Sequence, residues 1–482
     1  MDSAEKNSAF DKRLKRQVIG KPHRFLAVVP LGFEKTFVRE MDFLRRESVE
    51  NQGTNSLDIK IAGDGKVEFT AKLVDAWKVV AYSRIANRIQ MHIADFKAEN
   101  FRELEKKAAE IPWELFLTTN HQPLTTIHVT CKHSRLYHSD AVAERLQKVI
   151  EGGSLPLAAA PTGSSATPSA GTPRNAPKSE ASDLAPHTSN LYVTLIDDRC
   201  TLWLDLAGEE LYKRGHERFV NEAPLKETIA AAILQEAFNA AILTTNHQPL
   251  ITLIDPMSGS GTFSLEAAYM ANALIPGKCR DFALKHQPAF KPATWDFLIR
   301  RENDNSMLSL RRNEVTAAIP GTIQKIVTSD ISERAVEIIQ HNVECCPLAN
   351  IAPSTAAPTI SPQLRDFFSY TAKEIADLCG ETSPVIVLNP PYGKRLDFDA
   401  PKLYTQIGKK LAELARELAP LGKQLTVAIL APKDDSRPGS KYTCTANLQH
   451  ECPALNPQQN SDAKCIVTSH GGISLNAIIA RI

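Results

Sequence analysis

Residues 251–262 read ITLIDPMSGSGT and run on into FSLEAAYMANAL. The first four residues are an apolar strand that ends on Asp255, a loop of small residues follows, and a helix opens near Thr262. Doubly wound α/β folds hold a cofactor at this kind of junction, outside the carboxyl end of a strand. Pro256 and Met257 begin the loop, Gly259 and Gly261 let backbone approach a ligand closely, and amides at the helix start can receive a carboxylate. The loop alone is a GxGxxS pattern that many cofactor folds share. It is not the phosphate loop of nucleotide hydrolases, because no lysine follows the second glycine.

Downstream the same strand–loop–helix pattern recurs. Ile251–Ile254, Ile323–Thr328, Val385–Leu388, Leu425–Leu430 and Lys464–Thr468 read as strands. The continuous apolar run VIVL fits a strand buried on both faces of a parallel sheet. Asp330 ends the second of these, where an acid can accept hydrogen bonds from ribose hydroxyls. It stands 75 residues past Asp255, so residues 277–322 would have to be an insertion. Equally, Asp330 could cap a helix over Glu333–Asn342. Asp366, in Arg365-Asp366-Phe367-Phe368, is ambiguous by itself.

Directly after VIVL comes Asn389-Pro390-Pro391-Tyr392. Two prolines remove backbone donors and stiffen the turn. The Asn389 side-chain oxygen and the Pro390 carbonyl could then both accept from one NH2 group, and Tyr392 offers a face for a base to stack on. The competing reading is a proline-rich turn after a strand.

Working outward, 482 residues suggest two to four domains. Hydrophobic residues at 43% and charged residues at 23% are ordinary for a globular chain. Met1–Arg16 mixes acids and bases without an apolar core, so no secretory signal is expected, and no apolar run is long enough to span a bilayer. Nine cysteines without any CxxC spacing argue against a disulfide framework or a metal site and point to a reducing cytoplasm. Net charge is +1; residues 1–150 carry 25 Lys+Arg against 20 Asp+Glu, a slight basic bias.

Before the cofactor loop the elements are shorter. Arg24–Val29 reads as a strand, Leu31–Arg46 as a helix, Val67–Leu73 as a strand and Val74–Gln90 as a helix with Val79, Ile85 and Ile89 on one face. Ile127–Thr130 is a strand, and Ser139 can cap a helix through Val142, Leu146 and Val149. Residues 151–190 are rich in Pro, Ala, Ser, Thr and Gly and should be a disordered segment. Leu191–Ile196 and Leu202–Leu206 flank a turn and read as a hairpin, and Pro224 should open a helix carrying Leu225, Ile229 and Ile233. The octapeptide LTTNHQPL occurs at 117–124 and again at 243–250, each time before a strand. Its histidines are not read as ligands, and no physical account of the repeat emerges.

Together, Asp255–Thr262 and Asn389-Pro390-Pro391-Tyr392-Gly393-Lys394-Arg395-Leu396 resemble the THUMP-domain RNA N2-guanosine methyltransferases, most of all the bacterial branch acting on large-subunit ribosomal RNA. Leu206–Gly215 (LAGEELYKRG), Ala223–Ala231 (APLKETIAA), Ile111-Pro112-Trp113, Lys132–Arg145 (KHSRLYHSDAVAER) and Gly471-Gly472 fit the same family. The resemblance covers roughly residues 22–482 apart from the 151–190 segment. It implies an α/β class: a Rossmann-like methyltransferase sheet preceded by small α+β ferredoxin-like and THUMP domains. By position these would be a tail over 1–21, a ferredoxin-like domain over 22–65, THUMP over 66–208 interrupted by the 151–190 insertion, and the methyltransferase domain over 209–482.

The cofactor implied is S-adenosylmethionine (AdoMet), with no metal and no membrane. Asp255, Pro256, Met257, Gly259, Gly261 and Thr262 would line its methionine part. Asp330 with Ile331 would take the ribose, and Asp366 with Phe367 would lie by the adenine. Asn389 to Tyr392 would hold the target amine and do the chemistry, and Lys132, Arg135 and Tyr137 would contact RNA. Ribosomal RNA is the expected partner and transfer RNA the next, the protein acting as a monomer. Departures from the family are Ser258 in place of the usual cysteine and a Pro- and Thr-rich stretch over Ala352–Ser361. Some relatives carry a second methyltransferase domain; a single one is expected here. An adenine-N6 methyltransferase uses the same Asn-Pro-Pro-Tyr, and a silent RNA-binding assembly protein could keep the fold, though intact Asp255, Asp330 and Asn389 oppose that.

Overall fold

The structure is a computed structural model that describes residues 3–49, 58–118, 126–152, 189–220, 224–242, 250–300, 322–350, 358–392, 399–434 and 443–482. Most of the 151–190 segment, nearly all of both LTTNHQPL copies, residues 301–321 of the expected 277–322 insertion and Gly393–Leu396 therefore lie outside the described residues. The chain divides into two compact units. One comprises residues 1–23, 90–208 and 282–291; the other comprises 24–89, 209–281 and 292–482.

In the second unit, strands β1 (Pro22–Val28), β2 (Ile59–Gly63) and β3 (Lys66–Lys72) lie in the order β2-β3-β1. Helices Glu34–Val49 and Leu73–Tyr82 accompany them. The helix expected through Gln90 stops at Tyr82. There Ser83 Oγ donates to Glu40 Oε2 at 2.6 Å and accepts from the Ala86 amide at 2.9 Å, which turns the chain out of the helix. Ile85 is buried in the connection and Ile89 begins the next strand, so the apolar spacing served two elements.

The first unit holds β4 (Arg88–Lys97), β5 (Thr126–Lys132), β6 (Asn190–Ile196) and β7 (Arg199–Asp205) in the order β4-β7-β6-β5. The β6–β7 hairpin turns on Asp197 and Asp198, both at positive φ (50° and 61°), the handedness that two-residue hairpin loops require. Helices Phe101–Ala109 and Ser139–Gly152 bury Leu104, Val142, Leu146 and Ile150 in a core with Val193 and Leu202.

The larger sheet of the second unit comprises β8 (Ile251–Asp255), β9 (Ile323–Asp330), β10 (Pro362–Leu364), β11 (Ser383–Leu388), β12 (Thr426–Pro432), β13 (Lys464–His470) and β14 (Ile473–Arg481). Its order is β10-β9-β8-β11-β12-β14-β13. The five strands β8 to β12 run parallel, and β14 is antiparallel to both β12 and β13. Lys464–Thr468, grouped by sequence with the buried parallel strands, is thus half of an antiparallel hairpin closed at Gly471-Gly472, both at positive φ. The chain leaves β8 to one side for β9 and β10, then crosses to the other side for β11. That places a topological switch point between β8 and β11, where open α/β sheets bind ligands.

Helix Glu227–Ile242 begins three residues later than Pro224 suggested, leaving Leu225 outside it. It is buried on nearly every face, as expected of a helix whose sequence is apolar all round. Thr36 Oγ1 donates to its Glu236 Oε1 at 2.6 Å, so the segment 24–89 covers the side turned away from the sheet.

Candidate active site

Parallel strands deliver their last residues to one edge of a sheet, and here that edge collects the acids and the asparagine. Ile254 stands opposite Ile386 and Asp255 opposite Thr328. Asp330 and Asn389 therefore each lie two residues beyond the level of Asp255, on the strands that flank β8.

The glycine loop is fastened to β9. Ser258 donates through its amide (3.1 Å) and its hydroxyl (2.8 Å) to the Ser329 carbonyl, and the Gly259 amide donates to Asp330 Oδ2 at 2.9 Å. A cysteine would lose that hydroxyl donor, so Ser258 has a structural use. The other oxygen of Asp330 accepts from the Ser332 amide at 3.0 Å. Helix Glu333–Cys345 is capped by Ser332, and Asp330 accepts from the Ser332 amide just ahead of it. Arg365 donates its amide to the Asp330 carbonyl at 2.9 Å, so Asp366 follows immediately beside that strand end. Asp366 Oδ1 accepts from the Phe368 amide at 3.0 Å.

Asp255 is fully buried. Its Oδ2 accepts from the amide (3.2 Å) and hydroxyl (2.8 Å) of Ser264, and Thr328 supports that hydroxyl at 2.7 Å. Its Oδ1 has no partner among the described residues, and neither has Asn389 Oδ1. Burial pushes the Asp255 carboxyl up to about 7, and the charge of Asp330 adds to the shift. Buried acceptors without donors are costly in a finished protein core. Two of them at one edge fit a ligand that brings N–H groups.

The loop leaves space for such a ligand. Gly259 has φ +57°, and a Cβ built on it meets nothing within 4 Å. Gly261, at φ +78°, instead backs onto Ile339, whose side-chain carbons would lie 3.1 and 3.2 Å from a Cβ. One glycine faces open space and the other faces the core.

Other expected site residues divide. Pro256 and Thr262 are buried in the loop and Met257 is half-buried. Ile331 is 71% exposed next to Asp330, an apolar surface beside a carboxylate. Phe367 is buried in the core cluster that includes Tyr370 and Leu388, so its backbone is the part left to face a ligand. Pro390 is buried, Pro391 exposed and Tyr392 half-buried, with burial pushing the Tyr392 hydroxyl up to about 12.

Lys132, Arg135 and Tyr137 belong to the other unit. Tyr137 is exposed, with its ring 4.1 Å from that of His138. Arg135 is already paired with Glu99 and donates its amide to Asp198 at 2.7 Å, so less of its charge remains for an anion. Lys132 is exposed and, among the described residues, pairs with no carboxylate.

Sequence reasoning missed two residues at this edge. Arg218 donates through Nη2 to Ser260 Oγ at 3.1 Å and to Thr262, and through Nη1 to half-buried Glu227. It thereby clamps the hydroxyls of the glycine loop. Its position 42 residues before Ser260 carries no spacing signal. The second is His470, whose Nδ1 lies 3.3 Å from the Tyr392 hydroxyl.

Among the described residues no cluster of histidine, cysteine or carboxylates could hold a metal, and no helix is long and apolar enough to cross a membrane.

Comparison with known proteins finds methyltransferases. "Putative RNA methyltransferase YpsC" of Bacillus subtilis is 27% identical over 380 residues, covering 78% of this chain and 80% of that protein. "Ribosomal RNA large subunit methyltransferase K/L" of Allochromatium vinosum is 26% identical over 367 residues, covering 72% of this chain and 42% of that protein. The chain thus spans less than half the length of such K/L proteins. A solved structure described as "SMU.472, a putative methyltransferase complexed with SAH" superposes with a TM-score of 0.61 at 22% identity, over 95% of this chain and 98% of that one, and shares its fold. Residues 214–428, which carry β8 to β11, the glycine loop and Asn389–Tyr392, match the family model of the RMKL-like methyltransferase domain.

Proposed function

We propose that the protein transfers a methyl group from AdoMet to the exocyclic N2 amine of a guanosine in RNA, with large-subunit ribosomal RNA as the substrate. The observation that carries this reading is the buried Asn389 Oδ1 at the switch point, one strand from Asp255 Oδ1, neither with a partner among the described residues. The first meets an NH2 group to be methylated, and the second meets the ammonium of the cofactor.

In this reading Asp255 and the loop over Pro256–Thr262 hold the methionine part, Asp330 and Ile331 the ribose, and the Asp366 edge with the Phe367 backbone the adenine. The cofactor supplies a methyl group that is already activated, so the chain supplies position and electrostatics. A guanine amine is a poor nucleophile because its lone pair is delocalised into the ring. Asn389 Oδ1 and the Pro390 carbonyl would accept its two protons, localise that pair and stabilise the charge that develops. Tyr392 would stack on the base, which must leave its helix or loop to arrive there.

RNA is the acceptor class supported by the YpsC and K/L relatives, and the THUMP reading of residues 66–208 gives it a surface that includes Lys132, Arg135 and Tyr137. Guanosine N2 is supported by the resemblance of the paired motifs. Asn389→Ala tests the assignment: turnover on saturating RNA should fall ~10²–10³-fold while AdoMet binding by calorimetry is retained. Turnover near that of the wild type would reduce the motif to a stiff turn.

A further inference from the structure

We infer that His470 is a positioning residue for the reaction, acting through the Tyr392 hydroxyl; this rests on the proposed role of Tyr392 as the stacking platform. The topology brings the two together. β13 is antiparallel to β14, which is antiparallel to β12, so β13 points the same way as β8, β9 and β11. Its last residue, His470, therefore emerges at the edge that carries Asp255, Asp330 and Asn389. β11 and β13 are separated by β12 and β14, a gap of about 14 Å at the usual strand spacing. Tyr392 lies four residues past β11, and its side chain closes the gap to place its hydroxyl 3.3 Å from His470 Nδ1.

The contact fixes what the prolines do not. Pro390 and Pro391 stiffen the backbone of the turn, but a tyrosine ring keeps its own side-chain freedom, and a platform must be held in one orientation to stack productively. Tethering the hydroxyl at the far end of the ring removes that freedom. His470 is anchored on its own side: the Pro224 carbonyl lies against the imidazole and Lys226 is nearby. Lys226 is itself engaged with Glu210 at 3.2 Å and with the Tyr212 ring. Burial and Lys226 both favour the neutral imidazole, which offers a donor and an acceptor nitrogen and can bridge a hydroxyl and a carbonyl. The β13–β14 hairpin, otherwise an edge closure, thus acquires a use in the site.

The test is a double-mutant cycle with unmodified large-subunit ribosomal RNA as acceptor. Tyr392→Phe and His470→Ala should each lower kcat about 2–10-fold, the range expected for one lost hydrogen bond, with the AdoMet Kd unchanged. The double variant should be no slower than either single one, because each change removes the same contact. His470→Asn, which keeps a polar group at the position of Nδ1, should recover most of the rate and covers the case that the alanine variant folds poorly. A His470→Ala effect of equal size in the Tyr392→Phe background overturns the proposal. A second readout does not depend on activity: in protein labelled with 15N-histidine, Tyr392→Phe should shift the His470 ring resonances. Unmoved resonances overturn the contact whatever the RNA assay shows, whereas a shift with no methyl transfer by the wild type would place the failure in the proposed function.

Discussion

Gly259 and Gly261 are two residues apart in one loop, yet their replacement by alanine should do opposite things. At both positions a Cβ costs about 1–2 kcal/mol, because L-residues avoid the left-handed region. At Gly259 that is the whole cost to the fold, since the added carbon meets nothing within 4 Å. In a unit of this size such a loss lowers Tm by about 1–3 °C. At Gly261 the carbon also presses on Ile339 at 3.1 and 3.2 Å, and Ile339 is completely buried on helix Glu333–Cys345. Overpacking of that kind adds about 1–3 kcal/mol, so the total is about 2–5 kcal/mol. Gly261→Ala should therefore be the thermally damaged variant in differential scanning calorimetry. Gly259→Ala should keep most of its stability and lose AdoMet affinity by tenfold or more in titration calorimetry, because its methyl group occupies the open space beside Asp255 and Asp330. Wild-type AdoMet affinity in Gly259→Ala would refute the placement of the cofactor over that glycine.

The carboxyl of Asp255, raised to about 7, gives a pH signature. Its ionised form would hold an ammonium, so AdoMet affinity should rise about 8-fold from pH 6 to 7.5, and Asp255→Asn should flatten that rise. The sign for stability is the reverse: the folded cofactor-free protein binds the extra proton, so the contribution of this group falls as pH rises from about 4 to about 7. For RNA, Lys132→Glu should reduce the slope of log affinity against log salt by about one, measured by filter binding, and Arg135→Glu should do less because Glu99 and Asp198 already engage it. Equal slopes for the two variants would contradict that difference.

The legible parts of the sequence were those whose signal is local. ITLID followed by small residues, and VIVL followed by Asn-Pro-Pro-Tyr, each compress a buried strand and its functional end into about ten adjacent residues, and both strands occur where expected. The hairpin at Leu191–Leu206 was legible for the same reason, with its turn on two aspartates that tolerate positive φ. What escaped depends on contacts between distant residues. The helix after Leu73 ends because Ser83 finds Glu40, 43 residues away, and periodicity alone runs straight through that point. Arg218 and His470 look like ordinary surface residues until the fold sets them against Thr262 and Tyr392. Residues 282–291 join the unit of 90–208, with Gln287 donating to the Asp205 carbonyl at 3.0 Å, and nothing in their composition announces it. Asp330 read equally as a cap of the helix over Glu333–Asn342, and the cap proved to be Ser332, two residues on.

The central claim is the identity of the atom that receives the methyl group. The direct measurement is to incubate the protein with deuterated-methyl AdoMet and unmodified large-subunit ribosomal RNA, digest the RNA to nucleosides and identify the labelled product by mass spectrometry against standards. Label is expected in N2-methylguanosine and is lost in Asn389→Ala. Label in N6-methyladenosine or N7-methylguanosine, or no label while AdoMet still binds, would contradict it.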